Sequence, residues 1–100
     1  MSIDQAGSAP ARITLVESEA CHFCEDAHRA LADLAITYRL TVQTVDVRSA
    51  TGQRLMQTHR ASMSPLVLLD GEFFSHGRLP RRKLAKVLAR RGGPDSPAAG

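Results

Sequence analysis

The sequence has no tryptophan, and aromatic residues make up only 4% of its 100 positions. Aliphatic side chains therefore have to fill whatever core it builds. No apolar run approaches the roughly 20 residues that a membrane-crossing helix needs. The opening "MSIDQAGSAPAR" lacks a charged stretch followed by an apolar one, so it does not read as a signal peptide. There are two cysteines, Cys21 and Cys24. From these absences we expect a cytoplasmic protein with no membrane attachment. Thiols are kept reduced in that compartment. A lone pair there is more often reactive or metal-binding than a structural crosslink.

Acid is missing from one segment. Residues 78–91, "RLPRRKLAKVLARR", hold seven Lys/Arg and no Asp/Glu, although the whole chain carries a net charge of only +3. No aromatic residues interleave these cations as stacking platforms, which speaks against nucleic acid. The segment reads as the solvated face of a helix. Internal repeats are also absent. Hydrophobic residues at 43% and charged residues at 23% indicate a single globular domain. We expect it to span 12–91. Residues 1–11 and 92–100 are small, polar and Pro-containing, and are expected to be mobile.

Within the domain the periodicity alternates. "RITLVES" (12–18) and the β-branched "LTVQTVDV" (40–47) read as strands, and "LVLL" (66–69) as a strand buried on both faces. Asp70-Gly71 signals a tight hairpin into "EFFS" (72–75). From His22 to Ile36, Ala27, Ala30, Leu31, Leu34 and Ala35 recur at helical spacing. Ser49 can cap a short helix that buries Leu55 and Met56 and ends near Arg60. Pro80 stands where a first helical position would be. Leu84, Val87 and Leu88 then form an inner stripe, and Gly92 stops the helix. The order is β-α-β-α-β-β-α. It implies an α/β fold, with a four-stranded mixed sheet, helices on both faces and no large cavity.

The stretch "EACHFCEDAHRAL" (19–31) carries the chemistry. Its C-x2-C spacing fits a redox couple, a metal clamp or two small core residues. Polar neighbours argue against deep burial. Cys21 falls at the start of the first helix, where free N–H groups and the macrodipole favour an anion. A thiol attacks a disulfide only as the thiolate. We therefore assign Cys21 as nucleophile and Cys24, one turn on and more shielded, as the resolving thiol. Glu17, Glu19, Glu25 and Asp26 lie close in sequence and oppose a thiolate. His22 reads as an exposed polar residue that adds positive charge when protonated. Phe23 reads as an exposed apolar contact for a partner. Cys21, Cys24 and His28 also have C-x2-C-x3-H spacing. Zinc in a structural site takes four ligands, and the fourth would have to come from His22, His76 or another chain.

The element order, "CHFC" between first strand and first helix, and "SPLVLLDGEFF" as Pro-strand-turn-strand resemble the glutaredoxin branch of the thioredoxin superfamily, over about residues 12–91. Small bacterial glutaredoxin-like proteins are the nearest likeness. That resemblance implies a thiol–disulfide oxidoreductase whose Pro65, in a cis peptide, faces the cysteines. The Ser64 backbone would then lie open to an extended substrate. It further implies that the turn His76-Gly77-Arg78-Leu79 lies beside the site. Gly77 would allow close backbone approach, and Arg78 would grip an acidic partner group or support the thiolate. Glutathione-binding relatives often carry a Gly-Gly pair and an acid in this turn. This chain has one Gly and no acid, so a protein disulfide or a small carboxylate-bearing thiol fits better than glutathione. No bound cofactor is expected beyond the reversible Cys21–Cys24 disulfide. The expected partners are a disulfide-bearing substrate and a disulfide reductase as electron donor, and the chain is expected to be monomeric. Some glutaredoxin-like proteins hold an iron–sulfur cluster between two chains, so a metal or cluster carrier is the second reading. A redox-inert adaptor using the basic last helix is the third.

Overall fold

The computed structural model describes residues 9–91. Most of the two terminal segments, and Gly92, lie outside them. Ala11 does not belong with the N-terminal segment, because it opens the first strand and is buried. The elements are β1 (Ala11–Glu17), α1 (His22–Thr37), β2 (Leu40–Asp46), α2 (Ala50–Thr58), β3 (Leu66–Leu69), β4 (Glu72–His76) and α3 (Arg81–Arg91). Strand order in the sheet is β2-β1-β3-β4. β1 and β2 run parallel, while β3 is antiparallel to both β1 and β4. This is the expected mixed α/β sheet. Among the described residues no helix is long and apolar enough to cross a membrane.

The sheet's pleat divides the core. Ile13, Leu15 and Val67 point to one face, where Ala27, Ala30 and Leu31 of α1 and Leu84 and Leu88 of α3 cover them. Val16, Leu66 and Leu68 point to the other, where Leu55 and Met56 of α2 pack. "LVLL" alternates between the two clusters, which is why it is continuously apolar. The α1 stripe is narrower than expected. Ala35 is exposed, because at 3.6 residues per turn it falls about 80° round the helix from Ala27. Pro80 precedes α3, which begins at Arg81. Its ring still suits the spot, since it has no N–H to leave unpaired, and its carbonyl accepts the Leu84 N–H at 3.0 Å.

Two backbone devices set the geometry at opposite ends of the sheet, the first beside the start of β1 and the second beside the site. Asp70 and Gly71 both have positive φ, 52° and 87°, as a two-residue hairpin turn of the primed type requires. Gly52, in the first turn of α2, is buried against the end of β2. A Cβ there would overlap the Asp46 carbonyl oxygen and come within 2.9 Å of Val47 Cα. The Gly52 N–H meets the capping Ser49 hydroxyl at 2.9 Å. Glycine thus lets the helix start directly on the strand end, and the β2–α2 loop is held beside the loop that follows β1.

Candidate active site

β1 ends at Glu17, and the chain reverses through Ser18–Ala20, with Ala20 at φ 49°. Cys21 is extended (φ −117°, ψ 109°) and caps α1. Its Sγ accepts the Cys24 N–H at 3.1 Å, so sulfur takes the place of the usual capping oxygen. That puts the Cys21 sulfur on the positive end of α1. Cys21 is half-buried, whereas Cys24 is 3% exposed. The two are joined as a disulfide with their Cα atoms 5.1 Å apart. The core reading of the pair is thus excluded for Cys21, which is open to solvent and lies in a cleft.

The loop before β3 lies across from the disulfide. Its Ser64–Pro65 peptide is cis. The Ser64 carbonyl oxygen is 3.9 Å and the Ser64 Oγ 3.8 Å from Cys21 Sγ. Ser64 Oγ also meets Ser18 Oγ at 2.9 Å. Pro65 is buried, and its carbonyl accepts the Gly77 N–H at 3.0 Å. Gly77 has φ 81°, and a Cβ on it would lie 3.4 Å from Met63 Cε. The turn into α3 is therefore tied to the Pro loop, with Gly77 at the tie.

Arg78 reaches the site indirectly. Its Cζ lies 5.8 Å from the centroid of the Phe23 ring, so the cation rests on the aromatic residue inside the cysteine motif. Phe23 is 37% exposed, and Met63 of the Pro loop 48%. His22 is exposed. Arg78 lines a separate cleft of about 460 Å³ at the start of α3, with Asp26, Arg81, Arg82 and Lys83.

The disulfide itself lines a cleft of about 350 Å³ with Glu17, Glu19, Glu25, His28 and Asp46. Most of the motif's carboxylates have partners. Glu17 Oε1 is 2.6 Å from His28 Nε2, Glu19 is 3.1 Å from Arg48, and Asp26 is 2.7 Å from Arg81. Among the described residues Glu25 has no such pairing. Arg48 also binds Asp46, through its guanidinium and through its own N–H at 2.7 Å. These hydrogen bonds hold the Asp46 carboxyl below its ordinary value, and the same carboxylate, with Glu19, raises the Arg48 guanidinium.

Among the described residues no three His, Cys, Asp or Glu side chains converge as a metal ion requires. His28 Nε2 is taken up by Glu17. His76 stands apart, with Nδ1 accepting the Ser62 N–H at 3.3 Å and its ring tilted against Phe73.

The sequence reasoning missed Ser18 and Arg48. A signal for both existed. β1 and β2 are parallel with Glu17 opposite Asp46, so the loops leaving their C-terminal ends must meet. In open α/β sheets that is where ligand-facing groups gather.

Comparison with known proteins agrees with this geometry. Residues 12–89 match the family described as glutaredoxin-like domain (DUF836). A mutant thioredoxin from Halobacterium salinarum superposes with a TM-score of 0.63 at 19% identity, covering 90% of this chain and 82% of that one. An uncharacterised thioredoxin-like protein from Clostridium perfringens gives 0.64 at 12% identity, covering 90% and 77%. Trxlp from Edwardsiella tarda gives 0.56 at 22% identity, covering 87% and 90%. No curated protein matches the sequence. At these identities the structures speak for the thioredoxin-like fold alone, whereas the family match spans the whole folded domain from β1 into α3: the chain belongs to the glutaredoxin-like domain family.

Proposed function

We propose that the protein is a thiol–disulfide oxidoreductase acting on protein disulfides. The observation that carries this reading is the Cys21–Cys24 disulfide at the start of α1, with the half-buried Cys21 sulfur accepting a helix N–H at 3.1 Å beside the Ser64 carbonyl. In the dithiol form the Cys21 thiolate attacks one sulfur of the substrate disulfide. The other substrate sulfur leaves with the electron pair and takes a proton from water. Cys24 then gives its proton to water and attacks Cys21 Sγ. The Cys21–Cys24 bond forms, and the second substrate thiolate departs. Two electrons from the dithiol of a disulfide reductase restore the starting state. No resident cofactor is needed.

Several features favour a protein substrate. Phe23 and Met63 are exposed beside the reacting sulfur, an apolar pair suited to a polypeptide surface. The Ser64 carbonyl, next to the sulfur, offers a main-chain partner to an extended segment. The turn into α3 presents Arg78 rather than an acid, which suits a carboxylate on the partner better than the amino group of glutathione. The chain acts as a monomer in this scheme.

The test is capture. Cys24→Ser, incubated with cell lysate, should accumulate mixed disulfides that dithiothreitol releases. The wild type should reduce a protein disulfide with a thioredoxin reductase as donor, and more slowly with glutathione. No releasable adduct together with no reduction by either donor would overturn the proposal.

A further inference from the structure

We infer that the Ser18 and Ser64 hydroxyls form a two-link hydrogen-bond chain that holds the Cys21 thiolate. Ser64 is the donor to sulfur, and Ser18 positions it. The inference rests on the oxidoreductase reading above and concerns the same sulfur.

Among the described residues three groups lie within hydrogen-bond reach of Cys21 Sγ: the Cys24 N–H at 3.1 Å, the Ser64 Oγ at 3.8 Å and the Ser64 carbonyl oxygen at 3.9 Å. They do different things to the two protonation states. The N–H can only donate and favours the thiolate. The carbonyl can only accept, so it favours the protonated thiol, whose S–H it can receive. The Ser64 hydroxyl can do either, because it has one proton and two lone pairs. Its direction is decided by its other neighbour. Ser18 Oγ, 46 residues away in sequence, is 2.9 Å from it. When Ser18 donates to Ser64, the Ser64 proton is free to point at sulfur. The chain then runs Ser18 O–H to Ser64 O–H to Cys21 S⁻, and each link polarises the next.

Among the described residues no Lys or Arg hydrogen-bonds the Cys21 sulfur. The cation the sequence suggested, Arg78, rests on the Phe23 ring. Ser18 and Ser64 are both half-buried, and they come from different parts of the fold, the end of β1 and the loop before β3. The pair can form only when that loop is closed onto the β1 end. The thiolate is then supported by groups that also shape the main-chain surface offered to substrate. Reduction of the Cys21–Cys24 disulfide takes two electrons from a dithiol donor. One proton enters as well when Cys21 ends as thiolate and Cys24 as thiol. Holding the thiolate therefore draws the couple toward its reduced form.

The experiment is an ultraviolet titration of the Cys21 thiolate on the Cys24→Ser background, paired with an equilibrium of the wild-type couple against dithiothreitol. Ser64→Ala should raise the Cys21 pKa by about one unit, a tenfold loss of thiolate below that pKa. It should also shift the dithiothreitol equilibrium toward the disulfide. Ser64→Thr, which keeps the hydroxyl, should hold both near wild type. Ser18→Ala should raise the pKa by less than Ser64→Ala, and should add nothing in the Ser64→Ala background, because it acts only through Ser64. An unmoved titration in Ser64→Ala overturns the inference. So does a Ser18→Ala shift that persists when Ser64 is already Ala. If Ser64→Ala fails to fold, Ser18→Ala still decides: no shift sinks the chain, and a shift supports it. The titration involves no substrate. Failure of turnover in the wild type would count against the oxidoreductase reading, while an unmoved pKa counts against the hydroxyls.

Discussion

Gly52 connects the fold to the rim of the site, and Gly52→Ala is the substitution whose cost the structure specifies most directly. An added Cβ would overlap the Asp46 carbonyl oxygen and sit 2.9 Å from Val47 Cα, both main-chain atoms of the neighbouring strand end and loop. A flexible side chain could swing aside, but a strand end cannot. Overpacking of this kind costs typically 1–3 kcal/mol, and backbone obstacles belong at the upper end. Alanine returns about 1 kcal/mol of helix propensity over glycine. The balance is a loss of about 2 kcal/mol. For a chain of this length that lowers the melting temperature by on the order of 10 °C. The strand end that must move carries Asp46, which borders the disulfide cleft and is paired with Arg48, so the local effect should show in the site too. Thermal unfolding by circular dichroism reads the first effect, and the chemical shifts of the Cys21 and Glu19 amides read the second. An unchanged or raised melting temperature would show that α2 does not rest on the β2 end as described.

The Asp46 carboxyl is held down by Arg48, so this contact contributes to stability above the ordinary Asp pKa and is lost as pH falls through the lowered folded value. Arg48→Gln should move the Asp46 carboxyl titration, followed by NMR, up toward the ordinary range; an unmoved midpoint would dissociate the two residues. Phe23→Ala should slow reduction of a folded protein disulfide severalfold, as loss of a central aromatic contact does. Alkylation of Cys21 by a small maleimide should change much less. Equal loss in both assays would make Phe23 a structural residue of α1 rather than a contact for substrate.

The element order and the sheet were legible in the sequence because each element carries its own periodicity, and because Asp70-Gly71 admits few alternatives to a tight hairpin. The cysteine pair was legible for the same reason, since helix start and motif coincide at Cys21. What escaped were contacts between residues far apart in the chain. Ser18 and Ser64 are 46 residues apart, and Arg48 and Glu19 are 29 apart. Nothing in local periodicity marks a serine or a single arginine in a loop. Arg78 was placed in the correct turn, but not over Phe23, because the rotamer of a long side chain depends on which aromatic face is free. The α1 stripe was drawn too wide because Ala35 is apolar by type while its angular position puts it at the flank.

The acid-rich motif looked hostile to a thiolate, and the structure changes the weight of that objection. At an effective dielectric near 20, a free carboxylate at ~7 Å opposes a thiolate by about 2 kcal/mol, more than one pKa unit. Four such groups would suppress the thiolate at neutral pH. Glu19 and Asp26 are instead paired with Arg48 and Arg81, and Glu17 with the His28 ring. A paired carboxylate acts at a distance mainly as a dipole, which falls off faster than a charge. The pairs are exposed and add little to stability. Their effect is local, because each cation offsets a field that would otherwise reach Cys21. The two arginines come from different elements, the β2–α2 loop and α3, so the offset exists only in the folded chain. Glu19 and Asp26 are offset in this way while Glu25 is not, so the donors nearest the sulfur have to outweigh what remains, and the nearest of all is the Cys24 N–H at 3.1 Å.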